Sequence, residues 1–171
     1  MSARQLVETD VELILDQIKS NITAALLEVS NFRTDQKVAL DNPKDYFIYP
    51  RAQGYRTPCV FVIPDRVDFR KDEKAANFID ATSRINVTVL IEDKDAERLE
   101  LKCWRYQAAL HKVLDQVPLT SDDSGVRITI EVMNAAFSPM YSLTQDPSAP
   151  NAVFRKEVVL ECDVYHYEAN N

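Results

Sequence analysis

Three cysteines, two histidines and two glycines in 171 residues bound the chemistry this chain could attempt. Cys59 follows Pro58 and lies three residues after Arg56. A nearby guanidinium of that kind can lower a thiol pKa and make a nucleophile, so a small cytoplasmic thiol enzyme using Cys59 is the catalytic alternative. Against it, Cys59, Cys103 and Cys162 all fall at positions that read as inward-facing, the ordinary setting of reduced core cysteines. His111 and His166 lack a sequence-local carboxylate and nucleophile pattern. Cys103 and His111 share a helical segment, but their spacing rotates them apart by roughly 80°, and no further Cys pair supplies zinc spacing. Asp122 with Asp123, and Asp93 with Asp95, sit at turns and helix starts, where capping accounts for them. With Gly54 and Gly125 the only glycines, the Gly-rich loops that cradle nucleotide phosphates are excluded. The residues point away from an enzyme, with no catalytic, cofactor or metal site to assign.

The elements that would position such residues are easier to read. In residues 10–29, Val11, Ile14, Leu15, Ile18, Ile22, Ala25, Leu26 and Val29 form one stripe of a helix, and Thr9 with Glu12 has capping-box spacing. Residues 59–63 read as a buried strand, with Val67 and Phe69 beyond Pro64 as the start of its hairpin partner. Residues 84–92, RINVTVLIE, alternate with Ile85, Val87, Val89 and Ile91 on one face. A second helix carries Leu99, Cys103, Tyr106, Leu110, Val113, Leu114 and Val117 inward, is capped by Asp93 or Asp95, and is ended by Pro118. After a turn at 121–125, residues 126–132 alternate with Val126, Ile128, Ile130 and Val132 inward. From Phe154 a long strand buries Val158, Leu160, Cys162 and Val164. The expected fold is α+β: a mainly antiparallel sheet of four to five strands, two principal helices on one face, and long loops, all in one domain over residues 1–171.

Composition narrows the setting. A 46% hydrophobic content without an apolar run near the ~20 residues that span a bilayer argues for a chain that does not enter membranes. The start MSARQLVETD lacks the apolar core of a signal peptide, so folding in a reducing cytoplasm is expected. A formal net charge of −7 disfavours tight binding to nucleic-acid phosphates. Its basic residues, such as Arg51, Arg56, Arg66, Arg70 and Lys71, are dispersed among acids.

What stands out is surface. Residues 31–57, 70–82 and 133–152 read as three long connections, and such segments are commonly functional. They carry Tyr46, Phe47, Tyr49 and Tyr55, then Phe78, then Phe137, Met140 and Tyr141, candidates to dock on a partner if the loops do not simply fold back over the domain. On the second helix Leu101, Trp104 and Ala108 form an apolar strip opposite the main stripe, either the seat of the first helix or a subunit interface anchored by Trp104. Leu90, Val159, Tyr165 and Tyr167 lie on the otherwise polar sheet face, and Tyr165 and Tyr167 join that candidate interface.

The succession of helix, long loop, strand after Thr57-Pro58, hairpin with a long tip, RINVTVLIE, the helix DAERLELKCWRYQAALHKVL and the strand FRKEVVLECDVYHYE resembles the tail terminator, or tail-completion, proteins of long-tailed bacteriophages, over residues 5–168. The resemblance implies a virion structural protein without catalytic residues. It implies a homohexameric ring that caps the tail tube, ends tail polymerisation and forms the joint to the head connector. The implied partners are the chain itself, the tail tube protein, the head–tail connector and, in a contractile tail, the sheath. DNA would pass through without specific binding, and Asp72, Glu73 and Asp80 are candidates to line or approach that channel. The protein would be made in the host cytoplasm and reside at the tail–neck junction of the virion. A head-completion protein or head-to-tail adaptor of the same neck shares related architecture and is the near alternative.

Overall fold

The computed structural model describes residues 3–30, 38–49, 54–70, 80–120 and 127–167. Two helices and seven strands follow in the order α1 (Ala3–Ser30), β1 (Asp45–Phe47), β2 (Cys59–Arg70), β3 (Asp80–Asp93), α2 (Ala96–Leu114), β4 (Pro118–Thr120), β5 (Arg127–Phe137), β6 (Tyr141–Ser142) and β7 (Phe154–Tyr167). The strands form one sheet in the order β1-β2-β3-β7-β5-β4, with β6 also pairing β7.

Helix α1 forms because its apolar residues recur at helical spacing, and Ile14, Ile18, Ile22 and Leu26 are buried along that stripe. It starts at Ala3, so Thr9 and Glu12 are interior and make no capping box. Tertiary contacts hold its early turns instead, for Leu6 and Asp10 are both buried. Helix α2 is capped by Asp95, whose carboxylate accepts from the Arg98 amide at 2.9 Å. It ends at Leu114, before Val117 and Pro118, and Gln116 at φ 58° turns the chain out of the helix. Pro118 then opens β4, an edge strand where a missing N–H is tolerated.

Both helices lie on one face of the sheet, as the sequence predicts: α1 packs over β2 and β3, and α2 over β3, β7 and β5. The main core joins their buried stripes to Val62, Ile85, Val87, Val89, Ile91, Ile128, Ile130, Val158, Leu160, Cys162 and Val164.

The sheet differs from the expectation in three ways. It has seven strands and is mixed, because β1 runs parallel to β2 with Asp45 opposite Cys59. β2 continues through Pro64, with a bulge between Pro64 and Arg66, so Val67 and Phe69 extend that strand and its hairpin partner is β3. Pro64 is accommodated because β1 pairs only with Cys59–Phe61. β5 runs on to Phe137 across a bulge between Val132 and Asn134. Residues 133–137 and 141–142 of the expected 133–152 loop are therefore strand, while 138–140 and 143–152 remain connection. Val126 and the turn at 121–125 lie outside the described residues.

A second, small core sits on the opposite face. Cys59, Phe61 and Leu90 are buried there beneath Phe47, Tyr55 and Ile63. Leu90, expected on the otherwise polar face, is 3% exposed because it lies in this cluster, beside its register partner Cys59. Cys59 is inward-facing only toward this outer cluster.

Candidate functional site

Among the described residues, Cys59 and Arg56 do not form the thiol–guanidinium pair that their spacing offers. Cys59 is fully buried, and burial, with the nearby Asp45 carboxylate, pushes its thiol up to about 12 against a smaller opposing effect of Arg155. Arg56 does not address that sulfur. Its Nη2 donates to Asp45 Oδ1 at 2.7 Å and to the Lys44 carbonyl at 3.2 Å, and its amide donates to Asp45 Oδ2 at 2.6 Å. Burial likewise raises Cys103 and Cys162 to about 12. Cys103 is buried while His111 is exposed, 3.8 Å from Asp115. Among the described residues no three His, Cys, Asp or Glu side chains are grouped to hold a metal ion, and no helix is long and apolar enough to cross a membrane.

His166 has a structural environment. Its Nε2 lies 2.8 Å from Asp10 Oδ1, and its Nδ1 lies 2.7 Å from the Ala81 carbonyl oxygen. Both ring nitrogens face acceptors, an arrangement that favours the doubly protonated imidazolium. Burial opposes that charge, but the Asp10 hydrogen bond and charge outweigh it and raise the pKa above 6.5. The pair ties α1 to β3 and β7. Asp93 is built similarly: burial opposes its charge, yet Arg98, Lys102 and the Asp95 amide hold its carboxyl far below the usual range.

The candidate contact residues divide by exposure, and the registers place most of them at one end of the sheet. β1 pairs with the start of β2, the start of β2 with the end of β3, and the end of β3 with the start of β7, where β6 also pairs. Phe47 stacks on Phe61 at 5.3 Å, and Tyr55 meets Phe61 edge-on at 6.2 Å. These rings form the small outer core. Tyr46 is half-buried, with Lys19 Nζ 5.6 Å from its centroid. The Arg155 guanidinium locks the cluster: Nε donates to Glu92 Oε1 at 2.8 Å, and the group lies 5.4 Å from the Tyr55 ring and 6.0 Å from the Tyr141 ring. Thr57 donates to the other Glu92 oxygen at 3.0 Å. On this frame Tyr49 is 53% and Tyr141 43% exposed, while Met140 packs partly against the main core.

Phe137, also exposed, stands on β5 instead of a loop, with Lys156 Nζ 5.9 Å from its ring. Ile48, Leu143 and Met133 are exposed as well, and sequence reasoning missed them. Ile48 and Leu143 each adjoin a chosen tyrosine or its hairpin, which is the signal that could have found them.

Trp104 is 55% exposed and Ala108 is exposed, while Leu101 is partly covered. α1 does not seat on this strip. It meets α2 elsewhere, through Gln17 Nε2 donating to the Val113 carbonyl at 2.9 Å and Lys112 bonding Glu28. Tyr165 is half-buried between Thr82 and Thr129. The structure does not bring Tyr165 together with the Trp104 strip, because Tyr165 lies on the outer sheet face and α2 covers the inner one. Phe78, Asp72 and Glu73 lie outside the described residues, as do the side chains of Asp80 and Tyr167.

No family model and no curated protein matches the chain. Among solved structures it is similar to a chain described as "Virion of native gene transfer agent (GTA) particle", at 12% identity and a TM-score of 0.47, over 91% of this chain and 93% of that one.

Proposed function

We propose that this chain is a non-catalytic structural protein of a phage-like virion that caps the tail tube as a ring of identical subunits, stops tail polymerisation and presents a face to the head connector. The observation that carries the reading is the rigid frame at one end of the sheet. Arg155, Glu92, Thr57 and Tyr55 fix the backbone there while Ile48, Tyr49, Tyr141 and Leu143 stand exposed on it. Exposed apolar side chains on a pre-ordered support suit docking, because little conformational entropy is lost on binding. The order of α1, β2, β3, α2 and β7 agrees with the order from which the resemblance to tail terminators was read. Burial of all three thiols favours this reading over the thiol enzyme. The ring, its six-fold number, the tube, connector and sheath partners, passage of DNA, and residence at the tail–neck junction all belong to this proposal.

Co-sedimentation with preformed tail tubes tests it. The unaltered chain is expected to pellet with tubes, and Ile48→Ser with Leu143→Ser, both at exposed positions, to remain in the supernatant while keeping its thermal midpoint. Equal pelleting of the two would contradict the assigned docking end. Binding to the head-side connector in place of the tube would favour the adaptor reading.

A further inference from the structure

The two short edge strands leave parts of the sheet unpaired. β1 pairs only with Cys59–Phe61 of β2, and β4 only with Arg127–Thr129 of β5. Just beyond β4, the Gln116 amide donates to the Ile130 carbonyl and Asp115 Oδ1 accepts from the Val132 amide, which closes that part of the edge. Among the described residues, Val62–Arg70 of β2 and Met133–Phe137 of β5 then have a strand partner on one side only. Arg66–Arg70, beyond the β2 bulge, is the part of that stretch that the registers place at the opposite end of the sheet from Met133–Phe137. Phe137 lies level with Val158, Val89 and Val60, whereas Arg127 lies level with Tyr167 near the end of β2. Three successive antiparallel pairings also make β5 run opposite to β2.

We infer that Met133–Phe137 of one copy pairs, antiparallel, with Arg66–Arg70 of a neighbouring copy in the same orientation, joining the sheets head to tail. This names the contact that the ring reading requires. Charge disfavours one alternative. A β2 edge meeting its own copy antiparallel about its centre would set Asp68 against Asp68, and like charges directly opposite are destabilising. The β5 stretch carries no charge and offers no such conflict. It is also unguarded by the charges and proline that protect β2 at Pro64, Asp65, Arg66 and Asp68, so its bare amides are the ones most in need of a partner. Bringing the stretches level shifts the neighbour along the strand by about 17 Å at ~3.3 Å per residue. That offset carries the caps β1 and β4 away from the joint. Heterologous contacts of this kind close into rings when the rotation between copies permits. The same joint approaches Trp104: Phe137 lies beneath Lys156, and Lys156 bonds Glu100, one helical turn before Trp104.

Cross-linking decides the matter. Ala136→Cys and Asp68→Cys, both at exposed positions, are combined in the full chain and treated with a short bis-maleimide, while the three native thiols are buried. The double variant is expected to yield a covalent ladder or closed multimer. Either single variant should remain at the level of the unmodified chain. Absence of a ladder at the highest soluble concentration, or dimers from Ala136→Cys alone, would overturn the inference. The outcome is separable from tube capping: capped tubes without the cross-link would refute this contact alone, and the cross-link without capping would refute the terminator reading alone.

Discussion

Replacing Asp10 with Asn removes the carboxylate that holds the His166 imidazolium, whose side chain is 6% exposed against 0% for Asp10. Taking one partner from a buried ion pair costs about 3–5 kcal/mol. With an m-value near 2 kcal/mol/M, that lowers a urea midpoint by roughly 1.5–2.5 M. In thermal melts of a chain this size it corresponds to about 6–20 °C. The effect carries a pH signature. His166 has a folded pKa raised above its ordinary 6.5, after burial is outweighed by Asp10 and the Ala81 carbonyl. The stability it contributes is therefore fully present below pH 6.5 and is lost as pH rises through the folded value. The gap between the unaltered chain and Asp10→Asn should be widest near pH 6 and narrow on going to pH 9. A gap that stays constant, or widens toward alkaline pH, would refute the imidazolium assignment. His166→Gln separates charge from shape: it should remove the alkaline dependence while retaining part of the hydrogen bonding.

Four other outcomes rest on the same structure. Asp93→Asn strips the carboxylate that Arg98 and Lys102 share, and should cost about 3 kcal/mol near neutrality. Because the folded Asp93 pKa is depressed, this stability is present above the ordinary 3.8 and is lost as pH falls below it, which acid-titrated denaturation curves would display. Leu110→Ala opens a cavity at a fully buried position and should lose about 2–5 kcal/mol in equilibrium unfolding. Trp104→Ala, at an exposed site, should change stability by less than about 1 kcal/mol while weakening self-association in sedimentation velocity. All three cysteines should resist a thiol reagent at pH 8 until denaturant is added, and rapid reaction of Cys59 in the folded protein would revive the thiol-enzyme reading.

The long elements were legible because burial imposes a period. Ile85, Val87, Val89 and Ile91 repeat every two residues, Leu99 to Leu114 every three or four, and each set faces the core as read. Short strands escaped for the converse reason. β1, β4 and β6 have two or three residues each, too few for alternation to register, and β1 depends on pairing with β2 at a distance in sequence. Bulges defeated the pattern elsewhere. Alternation falters at Val132–Asn134, so the second half of β5 reads as a loop, and Pro64 reads as a break in a strand that continues through a bulge. The candidate surface was partly visible. Trp104, Tyr49 and Tyr141, whose settings left burial and exposure both open, are exposed, while Tyr55 and Phe47 serve a local core. Nothing local in the sequence announced that Phe47 and Tyr55 would pack against Phe61 to make that core.

Tail-tube length is the most direct measurement of the central claim. Tube subunits from the same genome are polymerised with and without this protein, and lengths and ends are examined by electron microscopy. The account predicts shorter tubes with ring-shaped density at one end and growth arrested in proportion to added protein. Tubes of unchanged length with bare ends would contradict it.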